Sequence, residues 1–176
     1  MKQNLLVTSF DYDISKQVAK ELADEFSMRF FDQKELFEFD HLPRTFGDIC
    51  ESFGAEYVKK KFRSILKMEL DFDDAVFVSD MCFVDNCEDI FYKIKLSNFV
   101  ILLKKDIDEE IDWLNKKDIE TESEKSLFVH SKEVLKHREK VIETEMADIV
   151  VAISNKENTQ IVSEIIDRIK EYYSVN

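Results

Sequence analysis

The sequence predicts an α/β domain in three layers, α/β/α, around a central five-stranded parallel sheet. Short apolar runs recur at residues 4–9, 28–31, 75–79, 98–103 and 148–153, and amphipathic helical patterns separate them. AVFVS and NFVILL do not alternate apolar with polar, which is how a strand covered on both faces reads. Parallel neighbours joined by helices need right-handed crossovers, and the spacing of the runs leaves room for them.

Each element follows from local pattern. NLLVTS opens as a buried strand, and Ile14, Val18, Leu22 and Phe26 then recur every four residues on a helix over 15–26. After MRFF come helices over about 33–40 and 43–53, with Pro43 read as a first helical position. Gly54 punctuates, and Val58, Phe62, Ile65 and Leu66 mark the inner face of a helix running to about residue 70. Helices over 106–115, about 128–143 and 158–173 complete the layers. No repeat or linker divides residues 1–176, so they read as a single domain with a charged, lid-like segment near 116–127.

Composition narrows the function. A formal net charge of −13 disfavours nucleic acid and anionic membrane as partners, since both require a basic footprint. Cys50, Cys82 and Cys87 match no metal spacing and read as thiols of a reducing cytoplasm. His41, His130 and His137 are scattered, also at no ligand spacing. No apolar run reaches the ~18 residues of a membrane span, and the first residues carry no signal-peptide pattern. A cytoplasmic location is expected.

The stretch LLVTSFDYDISKQVAKELA is a strand, a turn over Thr8 to Ile14, and a helix, the arrangement that cradles phosphate in many α/β proteins. Such turns are rich in glycine, and this one has none.

In order and content the chain resembles the shikimate kinase family of P-loop small-molecule kinases. The resemblance runs through NLLV, KELADEFSMRFFD, GAEYVKKKFRSIL, NFVILLKKDIDEEIDWL and HREKVIETEMADIVV, nearly the whole chain. It implies a P-loop kinase topology and, for an intact member, transfer of phosphate from ATP and Mg²⁺ to a hydroxyl. The phosphate-binding (Walker A) motif is degenerate, however. Ungapped matching puts Ser9, Tyr12 and Ile14 at the three loop glycines, Ser15 at the phosphate-binding lysine and Lys16 at the magnesium-binding serine. Asp11 and Asp13 add negative charge where a triphosphate would lie. Ser15 and Lys16 are therefore remnant cofactor positions, and Lys16 stands about 100° around the helix from where the family's lysine belongs.

By the same resemblance Asp32, in FFDQKE, is the candidate magnesium ligand. Taken alone, its position before a helix with Glu35 three residues on is more often that of a helix cap. The second family carboxylate is Lys34, and the substrate-binding arginine is Lys59, which loses the bidentate fork. Asp80, Met81 and Cys82 replace a triple-glycine turn, and Lys125 and Ser126 stand where the lid has Arg-Pro. Arg138 falls within one residue of the C-terminal substrate arginine and needs a one-residue insertion to match it. Phe30, Phe31, Phe37, Phe39, Phe46 and Phe53 crowd the implied substrate region, as core, as an apolar ligand site or as a dimer surface.

The expectation is a catalytically impaired, pseudokinase-like protein with no catalytic residue and no cofactor. It acts by association with a protein, by homo-oligomerisation, or by binding a small anionic ligand through Lys34, Lys59 and Arg138. The alternative is an active shikimate kinase or related small-molecule kinase, with ATP and Mg²⁺ held by Lys16 and Asp32.

Overall fold

The computed structural model describes residues 4–81, 89–116, 127 and 132–175. Its strands are β1 (Asn4–Ser9), β2 (Arg29–Asp32), β3 (Ala75–Asp80), β4 (Asn98–Lys104) and β5 (Ile149–Ala152). They form one parallel sheet in the order β2-β3-β1-β4-β5. Every residue of β1 and β3 is buried, the pattern their apolar runs predict.

The strand alternation divides the core. Leu5 and Val7 face α1 (Tyr12–Phe26) and the last helix, α8 (Asn158–Val175), through Val18, Leu22, Ile161 and Ile165. Leu6 and Phe10 face the opposite layer. That layer holds α2 (Gln33–Phe39), α3 (Phe46–Phe53), α4 (Ala55–Glu69), α5 (Phe91–Ser97), α6 (Ile107–Lys116) and α7 (Lys132–Val141). Phe37, Phe46 and Phe62 meet at its centre, with the Phe37 and Phe62 rings stacked 4.8 Å apart. Three layers result, as the sequence predicts.

Some details differ from the sequence reading. Pro43 does not begin a helix. It lies in a turn after a cis peptide, and α3 starts at Phe46 behind a Thr45–Asp48 capping box. Gly54, at φ 77°, ends α3 and lets α4 leave in a new direction, a backbone conformation that side chains resist. Helix α5 had no sequence assignment; FYKIKLS is too short to display a periodicity. The expected helix over 128–143 is α7 in its described part, and it passes into a π turn at Ile142–Met146. Asp148 of the ADIVV segment accepts the Val100 N–H at 2.9 Å and returns its own N–H to Val100 O, fastening β5 beside β4.

Candidate functional site

In a parallel sheet of this order, ligands bind beyond the carboxyl ends of the strands. Here those ends are Ser9, Asp32, Asp80 and Lys104. The sequence suggested a turn from Thr8 to Ile14. The structure shortens it to Phe10 and Asp11, because α1 already begins at Tyr12. A phosphate loop needs several successive N–H groups curved around an anion, and two residues cannot supply that curve.

Each residue of the connection is occupied internally. Phe10 is buried in the core. The Asp11 carboxylate caps α1 by accepting the Ile14 N–H at 3.3 Å, and the Lys105 ammonium donates to its other oxygen. Ser9 Oγ donates to Asp11 O at 2.7 Å and lies 2.6 Å from Ser15 Oγ. Ser15, which the resemblance sets at the phosphate-binding lysine, is wholly buried. The positive end of α1 thus faces a carboxylate of its own chain.

Tyr12 spans the gap to β2, where its hydroxyl donates to Asp32 Oδ1. Burial, followed by the nearby Asp32 charge, holds the phenol well above its ordinary range, so it stays protonated. Asp32 Oδ1 also caps α2, accepting the N–H groups of Lys34 at 2.9 Å and Glu35 at 3.1 Å. Lys16 places its ammonium 2.8 Å from Asp32 Oδ2 and 2.6 Å from Glu35 Oε1. Burial opposes the charge on Lys16, but these hydrogen bonds prevail and raise the ammonium above the usual lysine value. Both roles the sequence offered Asp32 come down to these contacts, and those observed are a cap and an ion pair. Among the described residues, no group of three or more His, Cys, Asp or Glu side chains is placed to hold a metal ion.

The other candidates lie on three different helices, α2, α4 and α7. Lys34 lies over the Phe46 ring at 5.0 Å, and Lys59 pairs with Glu56 at 3.4 Å on the surface of α4. Arg138 is half-buried on α7. The π turn that follows, with Ala147 N–H bonded to Ile142 O at 2.8 Å, holds one residue more than an α-helical turn. The phenylalanines divide: Phe37 and Phe46 fill the core, Phe30 and Phe31 are half-buried, and Phe39 and Phe53 are exposed. Cys82, Cys87, Lys125, Ser126 and His130 lie outside the described residues.

Sequence reasoning missed Lys105. Its signal was the Lys104–Lys105 pair following a strand that lies beside β1, since parallel neighbours bring their carboxyl ends together. Together with Asp106, Ile107, Lys136 and Glu139, these lysines border a cleft of about 500 Å³.

The model of the family described as shikimate kinase matches residues 16–170. Among curated proteins no sequence matches significantly. The fold is similar to shikimate kinase from Aquifex aeolicus, at 15% identity over 98% of this chain and 99% of that one, with a TM-score of 0.72. It is also similar to shikimate kinase from Acinetobacter baumannii solved with shikimate, at 15% identity, 97% and 94% coverage and a TM-score of 0.75. A gluconokinase from Sinorhizobium meliloti follows the same fold at 11% identity, 98% and 95% coverage and a TM-score of 0.53.

Proposed function

The chain belongs to the shikimate kinase family, and from that premise we propose that it is a member without phosphoryl-transfer activity, acting through binding. One observation carries this reading. The N-terminus of α1, which must receive the phosphates in a working kinase, follows a two-residue connection and is capped by Asp11, itself paired with Lys105. Phosphoryl transfer depends on positioning and on neutralising charge, and Asp11, Phe10 and the tied Lys16 work against both. The same groups do not fit a magnesium-bound triphosphate.

Association with a protein, a second copy included, is the mode the surface favours. Phe39, Leu42 and Phe53 are 73%, 66% and 45% exposed around the α2–α3–α4 corner. Phe53 stacks on Tyr57 at 4.7 Å, and Tyr57 bonds His41 at 2.8 Å, so the exposed rings are held in place. No helix among the described residues is long and apolar enough to cross a membrane, and a cytoplasmic setting accords with the buried Cys50 thiol.

An active kinase would require Lys16 to leave Asp32 and Glu35 for the phosphates. A thermal-shift titration with Mg-ATP, with and without shikimate, separates the readings. The expected result is no shift beyond about 1 °C. A ligand at about 100 times its Kd stabilises by roughly 2.7 kcal/mol, which for a chain of this length is about 5–10 °C. A shift of that size with Mg-ATP overturns the non-catalytic reading. A shift with shikimate alone, lost in a Lys59→Ala, Arg138→Ala variant, replaces association with small-acid binding.

A further inference from the structure

The corner where α2, α3 and α4 meet is apolar on its outside and held in one conformation. Phe39 ends α2, Leu42 lies in the turn that follows, and Phe53 and Tyr57 stand exposed on α3 and α4. His41 fixes the turn: Nδ1 donates to Phe37 O at 2.7 Å, and Nε2 lies 2.8 Å from the Tyr57 hydroxyl. Its ring stacks on Phe37 and meets Phe53 and Tyr57 edge-on. Arg44 lays its guanidinium over the Phe53 ring at 5.2 Å. Aromatic rings and arginine are what interface centres favour, and side chains already held in place lose little freedom when covered.

Charge decides what covers this face. Residues 33–63, which hold α2, α3 and the first part of α4, carry six acids and six Lys or Arg, so the whole net charge of −13 lies outside them. Most of the corner's charges are also matched on the molecule itself: Lys61 with Asp40 at 2.8 Å, Lys59 with Glu56 at 3.4 Å and, from α1, Lys16 with Glu35 at 2.6 Å. A partner drawn in by opposite charge finds no excess of either sign here. A second copy is as acidic as the first, and exposed charges act over about 8 Å at physiological salt. It is therefore repelled over most of the surface and meets a neutral, apolar face at this corner.

We propose that the α2–α3–α4 corner is a two-fold interface between copies of the chain, with Phe39, Leu42, Phe53 and Tyr57 at its apolar centre. A two-fold contact closes on itself, so the face is covered without open-ended assembly. This interface rests on the reading that the protein acts through association, and gives that association its partner.

Sedimentation equilibrium of the full chain tests it. Between about 1 and about 100 µM, in about 0.15 M NaCl, the mean mass is expected to rise from the chain mass of 20.9 kDa toward twice that value. In about 0.5 M NaCl the rise should persist, since burial of apolar surface is not screened. Phe39→Glu and, in a separate chain, Leu42→Glu should each weaken the dimer at least about tenfold. Both side chains are exposed, so circular dichroism and the melting temperature of the monomer should stay as in wild type. Met68→Glu, exposed at the other end of α4, should leave the dimer intact. A chain that is monomeric throughout overturns the two-fold interface and leaves association with another protein standing; the Mg-ATP titration alone overturns the non-catalytic reading. A dimer that survives both corner substitutions, or that Met68→Glu weakens equally, also overturns it. So does a dimer that dissociates in the higher salt, which would place an acidic surface on the groove bordered by Lys67, Lys93 and Leu96 instead.

Discussion

Replacing Asp32 by alanine is expected to lower stability by about 3 kcal/mol, without altering any response to magnesium. Removing the α2 cap costs about 0.5–2 kcal/mol. The Tyr12 hydroxyl, buried and donating to Asp32, then has no acceptor, which adds about 1–3 kcal/mol. Lys16 contributes little, since its side chain is 37% exposed and Glu35 remains at 2.6 Å. Urea denaturation measures the sum, and the melting temperature should fall by about 6–12 °C. Asp32→Asn, which keeps an oxygen for the cap and for Tyr12, should lose less than half as much. Adding Tyr12→Phe to Asp32→Ala should return about 1 kcal/mol, because the orphaned hydroxyl goes with it. A metal ligand behaves differently: millimolar magnesium would raise the wild-type melting temperature by several degrees and leave Asp32→Ala unmoved. That pattern would sink the structural assignment of Asp32.

The sheet was legible because its signal is carried many times over. Each buried strand shows a continuous apolar run, and β1, β3 and β4 lie within one residue of their sequence-based spans. The helices that pack on the sheet through a wide apolar face, α1, α4 and α8, were legible for the same reason. The start of α1 was harder. Asp11 ahead of the periodic Ile14, Val18 and Leu22 is a cap signal, but the resemblance to a phosphate loop argued for a turn through the same residues. Local capping chemistry prevailed, because nothing in Phe10–Asp11–Tyr12–Asp13 favours the positive φ angles that a glycine-rich loop adopts.

The candidate site was legible only as single departures from the pattern the resemblance implies. Ser9, Tyr12, Ile14, Ser15 and Lys34, at the positions where the resemblance expects glycines, a lysine and a carboxylate, can be read one residue at a time. The contacts these positions make cannot, because they depend on pairs far apart in sequence: Lys105 on Asp11 across 94 residues, and Tyr12 on Asp32 across 20. Tyr12–Asp32 and Asp11–Lys105 tie the carboxyl ends of β1, β2 and β4 together from within. Such internal pairing matters because unpaired polar groups in a partly buried crevice are costly.

Glu69 supplies the other large effect, and its sign runs against intuition for a buried polar pair. It ends α4, 2% exposed, and accepts the Gln33 Nε2–H at 2.7 Å, while the remaining oxygen of each side chain makes no hydrogen bond. Burial holds its carboxyl well above the ordinary 4.5, and the Gln33 hydrogen bond offsets only part of that. Between the unfolded and folded values the native state keeps a proton that the unfolded chain has released. Stability therefore falls as pH rises through that window, by about 1.4 kcal/mol per unit, and levels off above the folded value. Glu69→Gln keeps the shape, needs no proton and can exchange two amide hydrogen bonds with Gln33. The variant should match wild type near pH 4.5 and exceed it increasingly as pH rises, each kcal/mol adding about 2–4 °C to the melting temperature. Urea denaturation at about pH 5, 7 and 9 tests the slope. A gap that does not change with pH would assign the effect to packing, and a variant weaker throughout would mean the carboxyl makes a bond an amide cannot replace. Glu69→Leu sharpens the comparison: it also removes the titration but leaves the Gln33 amide buried without a partner, so it should be less stable than Glu69→Gln at every pH.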